Sequence, residues 1–149
     1  NVADFATLAQ VIDLTLSGSL GTSDLGVLLF DDATGELVLR YSRWYPHLND
    51  RLRLPPGKGA SWDVIGTGQP LVVRDPRSHP KLLKLGARPF STAILAPIVA
   101  DGRPIGTLAV SRIDPADPEK DERDARVLAA IGRHIGPLVQ TLARTTLAN

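Results

Sequence analysis

A chain of 149 residues has the size of one domain, and the lack of any cysteine excludes thiol nucleophiles, disulfides and cysteine-held zinc. Seventeen basic residues against sixteen acidic ones leave a formal net charge of +1 with no long block of one sign, which argues against direct binding of a nucleic-acid backbone. No apolar run approaches the ~18 residues that cross a bilayer and the first residues lack the basic flank of a signal peptide, so a soluble, cytoplasmic domain is expected; the absence of Met suggests a fragment of a larger multidomain protein.

Phe5, Leu8, Ile12 and Leu16 recur at steps of three and four, which predicts a helix from an N-cap at Asp4 to about Ser17. Gly18, Gly21 and Ser23 interrupt it before the apolar run Leu25 to Phe30, read as a strand buried on both faces. After a turn, Leu37, Leu39 and Tyr41 alternate with Val38, Arg40 and Ser42, giving the second strand of a hairpin with one core face and one more polar face. LPPGKG forces a loop, ASWDVIGTG reads as a short helix ended by Gly66 and Gly68, and Pro70 to Val73 as a brief strand. Residues 74–89, with three prolines, read as a long loop carrying one helical turn at Leu82, Leu83 and Leu85.

STAILAPIV and IGTLAVSRI flank a turn at Asp101-Gly102 and read as two central strands. Asp117 as N-cap and Pro118 at the first helical position begin a long helix reaching about Arg144. On it Leu128, Ile131, Ile135, Leu138 and Leu142 form a seam of coiled-coil spacing, which Gly136 and Pro137 are expected to kink or loosen. Residues to about Ile131 are expected to pack on the sheet, with Leu138, Leu142 and Leu147 continuing outward.

This order describes an α+β plan in which helices cover an antiparallel sheet. The segments GELVLR, LPPGKGASWDVIGTGQPLVVRD, STAILAPIVADGRPIGTLAVSR and DERDARVLAAIGRHIGPLVQ make the chain resemble the GAF family over nearly its whole length, residues 1–149 forming a single GAF-like domain. Gly57, Gly59, Thr67, Gly68, Pro70, Asp75, Ser91, Pro97, Gly102, Gly106, Asp124 and Leu128, in that order, carry the resemblance. It implies a sheet of about six antiparallel strands, with the N- and C-terminal helices on one face and a ligand cavity covered by loops and a short helix on the other. It also implies a homodimer through the terminal helices that relays a signal to an output domain. Two departures stand out: Trp62 replaces a commonly small Gly, and Glu119 and Lys120 stand near the place of an aromatic that usually precedes the last helix.

Several activities of the family lack their residues here. Covalent bilin attachment and free methionine sulfoxide reduction both need Cys, and the Asn-Lys…Phe…Asp-Glu signature of cyclic-nucleotide binders has no match. No Walker sequence occurs, and Asp75, Ser78 and His79 are close in sequence without that establishing a triad. His47, His79 and His134 are too scattered for a metal cluster, although a haem axial histidine needs no such spacing.

Under the resemblance, the pocket residues are Trp44, Trp62, Asp75, His79, Leu83, Phe90, Ser91 and Ala93; the aromatics among them would serve equally well as core. Arg40, Arg77, Arg88 and Ser91 could bind an anionic ligand, but exposed arginines are common and the surface reading is favoured. The dimer residues are Leu8, Ile12, Ile135, Leu138 and Leu142. The expected function is a regulatory sensor without catalytic residues, metal or cofactor. It binds an unidentified small ligand or dimerises, controlling a signalling or transcription output domain, as in two-component systems. The alternative is a ligand-free dimerisation module; an enzyme comes third, and the expectation is that the chain is not one.

Overall fold

Asp4 opens the first helix by accepting the Thr7 N–H at 2.7 Å, and α1 runs Phe5–Leu20 to a left-handed Gly21. It passes the expected end near Ser17 because Leu20 is still buried against the core. The computed structural model describes residues 4–75, 79, 90–115 and 117–148, so most of the predicted loop over 74–89, with Leu82, Leu83 and Leu85, lies outside the described residues.

Six strands follow: β1 Asp24–Asp31, β2 Glu36–Ser42, β3 Arg53–Leu54, β4 Leu71–Val73, β5 Thr92–Ala100 and β6 Arg103–Arg112. They form one antiparallel sheet in the order β3-β2-β1-β6-β5-β4. Asp101 and Gly102, with φ of 52° and 73°, make the tight β5–β6 connection. β3 and a 3-10 turn over Pro46–Leu48 are too short to show a period, and neither appears in the sequence reading.

Alternation along β5 separates the two faces. Ile94, Ala96 and Ile98 join Leu25, Val27 and Leu29 in a core under α1 and the last helix, whereas Ala93 and Leu95 face α2, Ala60–Thr67. Leu28 lies on the α2 side with Leu37, Leu39 and Leu54, so β1 is buried on both faces. The run ends sooner than expected, because Phe30 is 42% exposed.

β2 departs from simple alternation. Val27 pairs with Tyr41 but Leu28 with Leu39, so Arg40 is an extra residue, a bulge. Leu39 therefore packs toward α2 while Tyr41 turns to α1 and donates its hydroxyl to Asp13 at 2.6 Å. Arg40 lies 5.7 Å from the centre of the Phe5 ring and pairs with Asp50 at 2.6 Å.

α3 spans Pro118–Ala148, begun by Asp117, which accepts the Lys120 N–H at 3.3 Å. The expectation that residues only to about Ile131 pack on the sheet is corrected here. The helix continues without interruption through Gly136 and Pro137. The stripe against the sheet is Leu128, Gly132, Gly136, Val139 and Ala143, so packing extends well past Ile131. Gly136 is a contact residue and not a breaker: a β-carbon on Gly132 or Gly136 would overlap the carbonyl oxygen of Pro97 or Val99 in β5. Pro137 is exposed, on the side of α3 away from the sheet. Among the described residues no helix is long and apolar enough to cross a membrane.

Candidate functional site

On the α2 face, Thr107 donates its hydroxyl to Ser61 at 3.0 Å, and both residues are buried. This bond lies between two apolar clusters. One holds Ala60, Val64, Val73, Ala93 and Leu95 with Phe90 against it; the other holds Leu28, Leu37, Leu39 and Leu54 with Trp62 against it. The Trp62 indole N–H donates to the Leu54 carbonyl at 3.1 Å, and its ring stands edge-on to Phe30 at 6.2 Å.

Phe90 and Ala93 are thus brought together, with Trp62 in the neighbouring cluster. Trp44 is not brought to them: its backbone N–H bonds Asp24 at 3.2 Å, at the opposite end of β1 from Phe30, about 20 Å along the strand at ~3.3 Å per residue. The Ser91 hydroxyl faces the carbonyls of Arg112, Ile113 and Asp114, tying the start of β5 to the end of β6. Asp75 is exposed just beyond β4, and His79 is half-buried with its Nδ1 enclosed. Leu83, Ser78, Arg77 and Arg88 lie outside the described residues.

Two charged networks, absent from the sequence reading, brace the helix side. Asp13, buried in α1, accepts the Tyr41 hydroxyl and the Arg43 Nε at 2.9 Å. Burial, then the Asp13 hydrogen bond, pushes the Tyr41 phenol up, and the same carboxylate raises the Arg43 guanidinium. Burial also pushes the nearby Asp24 carboxyl up.

The second network fastens the start of α3. Arg112, buried at the end of β6, pairs with both Asp121 and Asp124, and Lys120 reaches Asp124 at 2.6 Å and the Leu20 carbonyl at 3.2 Å. Arg74, at the end of β4, adds Glu122 at 2.8 Å. Burial alone would raise the Asp124 carboxyl, but hydrogen bonds and charge from Lys120 and Arg112 outweigh it and hold that carboxyl below the usual range. This ionic joint secures the helix near the place where the resemblance implies an aromatic.

A groove of about 540 Å³ runs along the outer face of α1 and α3, lined chiefly by Val11, Ile12, Val127, Ile131, His134 and Ile135. Val11 and Val127 are exposed there and Leu138 is exposed beyond its end, and Val127, Ile131, His134 and Leu138 follow one another at steps of four, three and four. Of the predicted dimer residues, Ile12 and Ile135 line the groove, Leu138 is 49% exposed, and Leu8 and Leu142 pack partly against the core. Ile131 and Leu138 of this outer stripe already belong to the predicted seam, whereas Val127 and His134, each one position before a seam residue, do not.

A sequence model of the family described as "GAF domain" matches residues 3–140. No curated protein matches the chain. Among solved structures the chain is similar to the GAF domain of a phosphoenolpyruvate-protein phosphotransferase from Coxiella burnetii, with 21% identity, coverage of 93% of this chain and 83% of that one, and a TM-score of 0.74. It is also similar to a type II free methionine-R-sulfoxide reductase from Thermoplasma acidophilum, at 20% identity, 95% and 97% coverage and a TM-score of 0.73. A free methionine-R-sulfoxide reductase from Neisseria meningitidis, in complex with its substrate, matches at 26% identity, 94% and 80% coverage and a TM-score of 0.72. These two reductases correct the expectation that the chain is not an enzyme: the same fold carries catalysis in both, so membership of this fold does not exclude it.

Proposed function

The chain belongs to the GAF domain family, whose members are regulatory sensor modules of signalling proteins, and from that premise we propose that it takes a small ligand on the α2 face and acts as a cytoplasmic homodimer through α1 and α3. The homodimer passes the ligand's state to an output domain of a larger protein. Ligand and output are coupled only if the ligand prefers one of two helix arrangements. The observation that carries this reading is the exposure of Val11, Val127 and Leu138, apolar side chains left at the surface of the two terminal helices beside the half-buried Ile131.

Sedimentation equilibrium tests it. The wild-type chain is expected to be a dimer, and Val11→Asp with Leu138→Asp a folded monomer by circular dichroism; a double variant that stays dimeric overturns the helix-face interface.

A second reading, a dimerisation module without ligand, is favoured by Trp62, which fills the space between α2 and Leu54 where a small residue would leave room. A ligand binder gains thermal stability with the right compound, whereas a pure dimer module responds only to protein concentration.

A further inference from the structure

We propose that Arg74 links the α2 face to α3, so that a change on the α2 side reaches the start of that helix through β4; this rests on the sensor reading above. β4 is three residues long and last in the sheet order, paired with β5 alone among the described strands. Its side chains alternate across the sheet. Val72 packs against the core under α1 and α3, whereas Val73 is buried with Ala60 and Val64 of α2 and with Ala93 and Leu95 of β5. The next residue, Arg74, returns to the helix side: its Nη2 donates to Glu122 at 2.8 Å, and its Nε stands 3.7 Å from Oδ2 of Asp121. Adjacent residues of one short segment therefore hold α2 on one side of the sheet and the first turns of α3 on the other.

Asp121 makes the far end of this link sensitive. Its side chain is 1% exposed and pairs through Oδ1 with Arg112, and among the described residues Oδ2 accepts no hydrogen bond. A buried carboxylate oxygen in that state depends on nearby positive charge. Two cations supply it. Arg112 is buried at the end of β6, a strand paired on both sides, and is the fixed half of the compensation. Arg74 is partly exposed on the last strand and is the half that a shift of α2 against Val73 displaces. At an effective dielectric of about 20, drawing the Arg74 and Asp121 charges ~1 Å further apart weakens their attraction about fivefold as an equilibrium constant, and the exposure of Arg74 reduces that to about threefold.

Lying between two sites is not coupling, so the experiment perturbs one end and reads the other. Amide hydrogen exchange is measured on the wild-type chain, Val64→Ala, Arg74→Gln and the double variant, with circular dichroism to confirm folding. Phe90→Leu, at the margin of the same cluster, takes the place of Val64→Ala if that variant does not fold. With Arg74 intact, Val64→Ala is expected to speed exchange at residues 122–125 by about threefold or more, and at residues 139–143 by less than about 1.5-fold. With Arg74→Gln already present, the same step at residues 122–125 falls below about 1.5-fold. An effect of Val64→Ala that is equal in both backgrounds overturns the role of Arg74. Exchange at residues 122–125 that ignores Val64→Ala, or that rises equally along all of α3, overturns the link itself. All of this is read on the chain without ligand, so failure of the link leaves the sensor reading to its own thermal-stability test, and failure of that test leaves the link in place.

Discussion

Gly136 of α3 and Val99 of β5 are in backbone contact: there is no room for a β-carbon between them, and Gly132 stands in the same relation to Pro97. Helix backbone here rests directly on strand backbone, which only glycine allows.

Alanine at these positions separates two opposing effects. Helix propensity favours Ala over Gly by about 1 kcal/mol, whereas forcing a methyl into a filled contact costs about 1–3 kcal/mol or more. Because both glycines meet carbonyl oxygens and not flexible side-chain ends, packing dominates. Gly132→Ala and Gly136→Ala should each lower stability by at least about 1 kcal/mol in urea unfolding. A gain in stability at either site would show that the helix stands off the strand.

Arg112 neutralises two buried carboxylates, so Arg112→Met should cost about 3–5 kcal/mol at pH 7 by leaving Asp121 and Asp124 undercompensated. The Asp124 carboxyl is held below its ordinary value, so its stabilising share is complete above a pH of about 4 and is lost as pH falls through the lowered folded value. Asp124 should therefore leave wild-type stability unchanged from pH 7 to about 5 and reduce it below about 4, a loss that Arg112→Met diminishes. Urea midpoints at the three pH values check this. An equal acid loss in both proteins would take the Arg112–Asp124 pair out of the account.

Trp44 and Trp62 sit at opposite ends of β1. Trp62→Ala should cost about 2–4 kcal/mol, less than a fully enclosed Trp, through the lost indole bond to Leu54 and the lost contact with Phe30. The cost of Trp44→Ala should add to it within about 0.5 kcal/mol in the double variant, because groups this far apart share no neighbours. A larger coupling energy would place the two rings in one pocket.

Much of the fold was legible because local chemistry and tertiary packing agree: Asp4 and Asp117 do cap helices, Gly68 ends α2, and Asp101-Gly102 turns β5 into β6. What was not legible has physical causes. Arg40 as an extra residue in β2 reverses the faces of Leu39 and Tyr41 without altering their alternation in the chain. Asp13, Arg112, Asp121 and Asp124 are of types mostly found exposed, and only their pairing in space, which no sequence spacing shows, accompanies their burial. Gly132 and Gly136 carry no apolar side chain, so a search for hydrophobic period reads the sheet face of α3 as a gap. The candidate site was less legible still, since distance between Trp44, Trp62 and Phe90 belongs to the sheet and not to sequence spacing.

The glycine contact also limits how α3 can move. Turning the helix about its own axis by one residue would drive Arg133 and Pro137 into the carbonyls of β5 in place of Gly132 and Gly136. Rotation about that axis is therefore blocked, and α3 keeps its angular setting on β5. Any displacement that reaches its far end arrives as a tilt or translation of helix and strand together, the output of a stiff plate and not of a turning shaft.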